Sequence, residues 1–254
     1  MANVHVDKVS LLYHTPKDET QAIADVSLNV EQGEFVSIVG PSGCGKSSLL
    51  SIIAGLVKPS AGTVTICDSP VTGPSPQVGY MLQQDYLMDW RTVLDNACVG
   101  LEIRRQLTPE RKQEVAGMLA DYGLGDFLHH YPRHLSGGMR QRVALVRTLA
   151  LKPDVLLLDE AFSALDYQTR IAMQDEVYQI LRRRGKTILM VTHDIPEAVA
   201  MSDRVIILSP RPAVVTKEVQ LAFDCQPRTP LCVRKDPNFG RYFNLIWEEL
   251  RVSV

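Results

Sequence analysis

The sequence of 254 residues has no long hydrophobic run and no strong excess of either charge. No segment approaches the roughly 18 consecutive apolar residues that a membrane-spanning helix needs, and the first residues lack the apolar core of a secretory signal. The net charge is −2, and the longest run of basic residues is the arginines at 182–184. We therefore expect no nucleic-acid partner, and we expect the protein to stay in the cytoplasm.

Cysteine is scarce and irregularly spaced. The odd number and the scatter of the thiols favour reduced cysteines over a disulfide framework. Hydrophobic residues make up 45% of the chain and charged residues 22%, which is typical of an ordinary folded protein with a buried core. The five cysteines are Cys44, Cys67, Cys98, Cys225 and Cys232.

The most informative feature that is present is a glycine-rich segment at residues 40–48. An apolar stretch at 34–39 precedes it and predicts a buried strand, and apolar residues at helical spacing follow it. Between a strand and a helix, the backbone N–H groups of such a loop and of the first helical turn bind phosphate. The candidate nucleotide ligands are Gly40, Pro41, Ser42, Gly43, Cys44, Gly45, Lys46, Ser47 and Ser48.

Three side chains of this segment have predicted properties. Lys46 is expected to reach the β- and γ-phosphates of a nucleoside triphosphate, and the Ser47 hydroxyl is expected to bind Mg²⁺. Cys44 lies in the same positive potential, so we expect its alkylation to block nucleotide binding. The alternative is a glycine-rich turn without a ligand, but the strand and the helix on either side favour a binding site.

The rest of the chain predicts an α/β fold. Short alternating segments within residues 3–33 and at 62–66 indicate antiparallel β structure, whereas residues 89 to about 151 are helical, with a helix start at Thr108 and Pro109. Strands that are apolar along their whole length and are separated by helices form a parallel sheet that is covered on both faces. Three such strands are predicted at 155–158, 187–191 and 204–208.

Two further segments carry candidate chemistry. Asp159 and Glu160 follow an apolar strand, at the sheet edge where ligands of parallel sheets bind. We expect Asp159 to hold the Mg²⁺ shell and Glu160 to act as general base on water. Ser136, Gly137 and Gly138 stand at a helix start and predict a second anion site. Taken alone, the two acids could merely begin a loop, and the Ser-Gly-Gly segment could be an ordinary helix cap.

Together these segments resemble the ATP-binding subunit of an ABC transporter over nearly the whole chain. Gln83 matches the Q-loop of that family, and His193 matches its switch histidine. Residues 163–166, with Asp166, match the D-loop. Tyr13 stands where the family has an aromatic ring that stacks on adenine.

The resemblance implies a fold. The core would be that of a P-loop NTPase of the RecA-like type with a mainly parallel sheet. An antiparallel β subdomain and an α-helical subdomain, inserted at about 89–151, would complete it. All of these would belong to one nucleotide-binding domain over residues 1–254.

The resemblance also implies cofactors and partners. ATP and Mg²⁺ would bind between two identical chains in a head-to-tail homodimer, with one chain's phosphate loop opposite the other's Ser136 segment. His193 would contact the γ-phosphate and orient water with Glu160, and Gln83 would touch Mg²⁺. The dimer would lie on the cytoplasmic face of the cell membrane against integral-membrane permease subunits. An extracytoplasmic solute-binding protein would take part indirectly.

Three segments point to a group of solutes. Residues 89–96, 208–212 and the tail at 234–239 with Ile246 and Trp247 are similar to the nitrate/sulfonate/taurine importer group. That group also includes transporters of bicarbonate and of pyrimidine vitamin precursors. Two other classes stay open. A P-loop kinase of small molecules gives no role to the Ser-Gly-Gly segment, and a non-transport ABC ATPase usually carries paired cassettes or a long coiled-coil insertion.

Overall fold

The computed structural model describes residues 2–14, 19–163 and 165–252. Ten strands and eight α-helices occur in these residues. In chain order they are β1 (Ala2–His14), β2 (Glu19–Glu31), β3 (Phe35–Val39), α1 (Lys46–Ile53), β4 (Ala61–Ile66), β5 (Ser69–Pro70), β6 (Val78–Met81), α2 (Val93–Ile103), α3 (Pro109–Asp121), α4 (Gly137–Leu149), β7 (Val155–Asp159), α5 (Tyr167–Arg183), β8 (Thr187–Val191), α6 (Ile195–Met201), β9 (Arg204–Leu208), β10 (Val215–Gln220), α7 (Pro230–Val233) and α8 (Asn238–Val252).

Six strands form the central sheet, in the order β10-β9-β3-β8-β7-β6. The pairs between β6, β7, β8, β3 and β9 are parallel, and only the edge strand β10 is antiparallel to its neighbour. Every residue of β3, β7, β8 and β9 is buried, as the fully apolar runs predict for a sheet covered on both faces. The predicted strands at 187–191 and 204–208 are confirmed to the residue.

A second, antiparallel sheet has the strand order β2-β1-β4-β5. Its strands β1 and β2 are each 13 residues long, whereas the sequence predicts shorter segments here. The register shifts between Val6 and Val9 and again between Val9 and Leu11. Lys8 and Asp25 have positive φ angles of 48° and 50°. Such bulges break the alternation of polar and apolar residues, which is why two long strands look like several short ones in the sequence.

Helices α2, α3 and α4 lie within the range 89–151, where the sequence predicts helical structure. α3 begins at Pro109, and the hydroxyl of Thr108 accepts a hydrogen bond from the Arg111 N–H at 3.3 Å. The predicted helix start is therefore confirmed. Gly123, just beyond the helix, has a φ of +71°, which is the left-handed conformation that commonly follows the end of a helix.

The central sheet separates two hydrophobic cores. Leu156 and Leu158 of β7 pack with residues of α2 to α5, whereas Val155 and Leu157 pack with α1 and the antiparallel sheet, because successive side chains of a strand point to opposite faces. A third cluster joins α6, β9 and α8. Among residues 2–14, 19–163 and 165–252, no helix combines the length and the apolar character that crossing a bilayer requires.

Candidate functional site

The predicted site residues meet at one edge of the central sheet. The glycine-rich loop follows β3, Asp159 ends β7 with Glu160 directly after it, and His193 lies two positions beyond the end of β8. The strands β3, β8 and β7 are neighbours in the sheet. Because the carboxyl ends of parallel strands share an edge, where ligands of α/β proteins bind, the topology builds one cleft from three distant segments.

The glycine-rich loop has the backbone of an anion-binding turn. Gly43 and Gly45 have φ angles of +73° and +122°, which residues with a side chain rarely adopt. A Cβ on Gly45 would also stand 3.1 Å from the carbonyl oxygen of Ala22. Helix α1 begins at Lys46, and no described side chain caps it. The N–H groups of its first turn are therefore donors for an anion.

Lys46 is held inside this loop. The residue is 6% exposed, and Nζ donates to the carbonyl oxygens of Gly40 and Pro41, each at 2.8 Å. An ammonium has three donors; two close the loop, and the third, whose contact with Cys44 Sγ at 3.9 Å is weak, is available to a phosphate. Arg211, in the segment between β9 and β10, supports the loop from the other side, where Nη2 donates to the Gly43 carbonyl oxygen at 2.6 Å. The sequence did not predict the Arg211 contact.

Ser47 and Asp159 form the candidate cation site. The Ser47 hydroxyl donates to Asp159 Oδ1 at 2.9 Å, and the Tyr80 hydroxyl donates to Asp159 Oδ2 at 3.2 Å. Burial raises the pKa of Asp159, although both hydrogen bonds oppose the shift, and burial raises the pKa of Tyr80 to about 12. A hydroxyl beside a carboxylate is a hard oxygen donor set that suits Mg²⁺. The residues present therefore fit the predicted ion, whose charge would favour ionised Asp159.

The Glu160 carboxylate lies between Gln83 and His193. Gln83 Nε2 donates to Glu160 Oε2 at 3.1 Å, and His193 Nδ1 lies 3.1 Å from Glu160 Oε1. The backbone of Glu160 has a φ of +46°, which is uncommon for a residue with a side chain and recurs at functional sites. Its N–H donates to the Val191 carbonyl oxygen at 2.9 Å, which ties the strained residue to β8. Three residues predicted to surround the reacting phosphate are thus brought together.

Tyr13 lies at the other end of the loop. Its ring, near the end of β1, is 43% exposed, and its hydroxyl is 3.0 Å from Ser48 Oγ. An exposed aromatic ring beside the first turn of α1 is in reach of a base whose phosphates occupy the loop. The role in stacking on adenine remains a prediction.

The Ser136 segment lies at the start of helix α4. Gly137 and Gly138 open helix α4, and the Ser136 hydroxyl accepts a hydrogen bond from the Met139 N–H at 3.3 Å. Within the described part of a single chain, no hydrogen bond joins this segment to residues 40–48. The described hydrogen bonds of one chain therefore do not join the two predicted anion sites.

The D-loop is described in part, because Ala164 lies outside the described residues. Asp166 caps helix α5, and its Oδ1 accepts a hydrogen bond from the Thr169 N–H at 3.1 Å. Hydrogen bonds from the Thr169 side chain and then from its backbone N–H lower the pKa of the Asp166 carboxyl. The observed bond accounts for Asp166 as a helix cap, and its predicted part in a nucleotide site stays a prediction.

The loop that carries Gln83 is bound to helix α4. Gln141 Nε2 donates to the Gln83 carbonyl oxygen at 3.2 Å, and Arg147 donates to the carbonyl oxygens of Asp85 and Tyr86 at 2.6 and 3.0 Å. Sequence analysis missed these contacts because they join positions about 60 residues apart. It also missed Tyr80, because the pairing of β6 with β7 is what brings that residue to the site. Since the Ser136 segment begins α4, this helix connects the Gln83 loop to the Ser136 segment.

The structure limits how Cys44 can react. The residue is 1% exposed, its sulfur packs against Gly40, and its N–H donates to the Pro41 carbonyl oxygen at 3.3 Å. A thiol must be accessible to be alkylated, so reaction requires the loop to open. We expect iodoacetamide to modify Cys44 at least roughly tenfold more slowly in the folded protein than in urea, as measured by peptide mass spectrometry. Equal rates in both states would contradict the observed burial.

A buried carboxyl lies behind His193. Glu197, on α6, is 3% exposed, and its Oε1 accepts a hydrogen bond from Gln174 Nε2 at 2.9 Å. Burial raises the pKa of Glu197 to about 7. The neighbouring Asp194 adds to this shift, and hydrogen bonds from Thr192 and Gln174 oppose it.

This raised pKa predicts how the free energy of unfolding depends on pH. From the ordinary pKa of a glutamate up to about pH 7, the folded state keeps a proton on Glu197 that the unfolded state has lost. Stability of the wild type therefore falls as the pH rises through this window and levels off above it. Glu197→Gln removes the effect, so the variant should gain on the order of 2 kcal/mol over the wild type between about pH 5 and about pH 8.

Urea unfolding at the two pH values measures the difference, and Glu248→Gln, at an exposed position of α8, is the matched control. The same pH dependence in the wild type and in Glu197→Gln would show that Glu197 titrates normally.

A phosphate loop between β3 and α1, a hydroxyl–carboxylate pair and a glutamate at the same sheet edge define the site of a P-loop nucleoside triphosphatase. The family model described as ABC transporter matches residues 23–163. The chain belongs to the ABC transporter family, as one of its ATP-binding proteins, which confirms the resemblance and the fold class predicted from the sequence.

Relatives along the whole chain support this membership. The chain is 45% identical over 250 residues to the uncharacterized ABC transporter ATP-binding protein YtlC of Bacillus subtilis strain 168, covering 98% of this chain and 96% of that protein. It is 43% identical over 221 residues to the taurine import ATP-binding protein TauB of Yersinia pestis, covering 86% and 87%. A dimeric, post-hydrolysis structure of the ATP-binding cassette MJ0796 bound to ADP and Pi superposes with a TM-score of 0.74 at 32% identity, covering 86% of this chain and 99% of that one.

Proposed function

We propose that this chain hydrolyses MgATP to energise the import of a small solute through a separate membrane permease. The observation that carries the proposal is the Glu160 carboxylate, held between Gln83 and His193 at 3.1 Å from each, beside the Ser47–Asp159 pair. A base, a cation site and a phosphate loop at one sheet edge are the parts that attack of water on a γ-phosphate requires.

In this proposal the phosphate loop binds and orients the triphosphate. Lys46 and the N–H groups of the first turn of α1 donate to the phosphate oxygens. Ser47, Asp159 and the amide oxygen of Gln83 would hold Mg²⁺, which neutralises charge on the β- and γ-phosphates when bound. Gln83 is also bonded to Glu160 through Nε2, so its side chain connects the cation site to the base.

Glu160 accepts the proton of the attacking water. No lysine or arginine pairs with this carboxylate among the described residues, and His193 Nδ1, at 3.1 Å, orients one of its oxygens. With Nδ1 at Glu160, the Nε2 edge of the ring can face the γ-phosphate. The fixed backbone of Glu160 keeps the base at the sheet edge, where the reacting water would stand.

A head-to-tail homodimer would complete each site. The Ser136 segment caps α4 and makes no hydrogen bond to residues 40–48 of its own chain among the described residues, which leaves it available to a nucleotide on a partner chain. The relatives in the MJ0796 structures are dimers. In such a dimer ATP joins the two halves, and hydrolysis removes the charge that holds them together. Asp166 of the D-loop would lie at the same dimer interface.

The likeness to taurine import proteins favours a sulfonate-like solute. We assign residues 1–254 to one nucleotide-binding domain with a helical insertion at 89–151, placed at the cytoplasmic face of the membrane. A small-molecule kinase is disfavoured because it needs an acceptor rather than a water-directed base at Glu160. Membership in the ABC transporter family favours transport over a non-transport ATPase.

The test is purification of the tagged full-length chain from detergent-solubilised membranes, followed by reconstitution of the complex in proteoliposomes. We expect a multi-span permease to co-purify and the ATPase rate to rise with one solute among taurine, nitrate, bicarbonate and a pyrimidine vitamin precursor. Phosphoryl transfer to a small acceptor would identify a kinase. Purified chain that hydrolyses ATP but never associates with a membrane protein would identify a non-transport ATPase.

A further inference from the structure

The backbone on both sides of His193 is fixed by buried hydrogen bonds. Thr192 is 2% exposed, and its N–H donates to the Ile38 carbonyl oxygen at 3.2 Å. Its hydroxyl oxygen accepts a hydrogen bond from the Asp194 N–H at 3.0 Å. The imidazole itself is largely exposed, and the Glu160 carboxylate is its one polar partner among the described residues, so the position of the ring depends on these two neighbours.

Asp194 is in turn held by a cluster of polar side chains on three helices. Asp194 Oδ1 caps α6 by accepting from the Glu197 N–H at 3.0 Å, and Oδ2 pairs with Arg170 Nη1 of α5 at 3.1 Å. Gln174 of α5 donates to the Glu197 carboxyl at 2.9 Å. Arg234, directly after α7, donates through Nη2 to Gln174 Oε1 at 2.7 Å. A continuous path of hydrogen bonds therefore runs from α7 to the residue beside His193.

Such a cluster is costly to bury unless its members satisfy one another. Gln174 is 0% exposed and Glu197 is 3% exposed, and neither belongs to the predicted contacts with nucleotide or Mg²⁺. Apolar residues at these two positions would suit the surrounding core better if packing were all that mattered. A buried polar cluster joined by these hydrogen bonds instead selects one arrangement of the helices that carry it, although Nε of Arg170 and Nε of Arg234 have no hydrogen-bond partner among the described residues.

We propose that Gln174 and Glu197 are positioning residues for His193, and that the segment after α7 sets the place of the histidine through Arg234. The inference rests on the proposed function, in which His193 orients the base and contacts the γ-phosphate. The inference adds that α7 and Arg234 affect hydrolysis, although neither belongs to the predicted contacts with the nucleotide. A partner that moves α7 would change the rate through this path.

The experiment compares Gln174→Leu, which breaks the bonds to both Glu197 and Arg234, with Gln179→Leu. The control makes the same change on the same helix, where Gln179 donates to Asp175 at 2.8 Å and accepts from Arg183 Nη2 at 3.5 Å, neither of which belongs to the cluster. In Gln174→Leu we expect kcat for ATP hydrolysis to fall about tenfold and KM to change less than about twofold, because a displaced group costs turnover more than binding. Gln179→Leu should keep the wild-type kcat.

Two further measurements separate positioning from general damage. The ¹⁵N resonances of the His193 imidazole, assigned through His193→Ala, should shift in Gln174→Leu and stay unmoved in Gln179→Leu. Glu197→Gln, which keeps an oxygen acceptor for Gln174, should retain kcat within about threefold. If Gln174→Leu does not fold, Arg234→Met is expected to shift the same resonances, since it cuts the path at its far end.

Folded Gln174→Leu or Arg234→Met with wild-type kcat and unmoved His193 resonances would overturn the inference. If the wild type itself does not hydrolyse ATP, the proposed function fails, and the imidazole resonances still decide whether the cluster positions His193.

Discussion

Glu160→Gln is expected to abolish steady-state ATP hydrolysis while MgATP binding persists. Glutamine has the shape of glutamate but cannot accept a proton from water. Loss of a general base typically costs on the order of 10²- to 10⁴-fold in rate. The amide side chain can still fill the space between Gln83 and His193, and it leaves the phosphate loop and the Ser47–Asp159 pair intact. Affinity for MgATP should therefore stay within about threefold.

The same variant should accumulate as a dimer with ATP. If the nucleotide joins two half-sites and hydrolysis releases them, then a chain that binds without hydrolysing cannot separate. Single-turnover phosphate release measures the chemical step, and light scattering with MgATP measures the mass. Glu248→Gln, at an exposed position of α8, is the matched control. Near-normal hydrolysis in Glu160→Gln would remove Glu160 from the role of base, and a strictly monomeric variant in saturating MgATP would argue against the shared site.

The central sheet could be predicted closely from the sequence for a simple physical reason. Strands β8 and β9 are buried on both faces, so nearly all of their residues are apolar and the limits of each run coincide with the limits of the strand. β1 and β2 face the core on one side only and contain register shifts. Alternation is the signal for such strands, and a bulge interrupts it, so their full length could not be predicted.

The residues of the site also divide into those that could be predicted from the sequence and those that could not. Lys46, Glu160 and His193 stand next to predicted strand ends, and the rule that parallel strands share a carboxyl edge is enough to bring them together. Tyr80, Gln141 and the cluster around Glu197 act through contacts between segments far apart in the chain. Predicting those contacts requires the order of strands and the packing of helices, which neither residue type nor local spacing reveals.

Lys46→Ala is expected to weaken MgATP binding about 100-fold, or roughly 3 kcal/mol. Two effects act in the same direction. The ammonium is the one formal positive charge within the loop of residues 40–48, and its hydrogen bonds to phosphate are charge-assisted. The ammonium also closes the loop by donating to the carbonyl oxygens of Gly40 and Pro41. Alanine provides no donor to these oxygens, so the loop loses its preorganised shape.

Lys46→Gln separates the two effects. The amide can still donate to a carbonyl oxygen of the loop, but it carries no charge. If charge dominates, Lys46→Gln should bind MgATP almost as weakly as Lys46→Ala; if loop closure dominates, its affinity should recover by about tenfold. Calorimetric titration with MgATP in the Glu160→Gln background avoids turnover, and Lys58→Ala, an exposed lysine beyond α1, is the control. Because the helix N-terminus and backbone N–H groups remain in every variant, tight binding in both Lys46 variants would mean that the backbone alone holds the triphosphate, and the predicted role of Lys46 would be wrong.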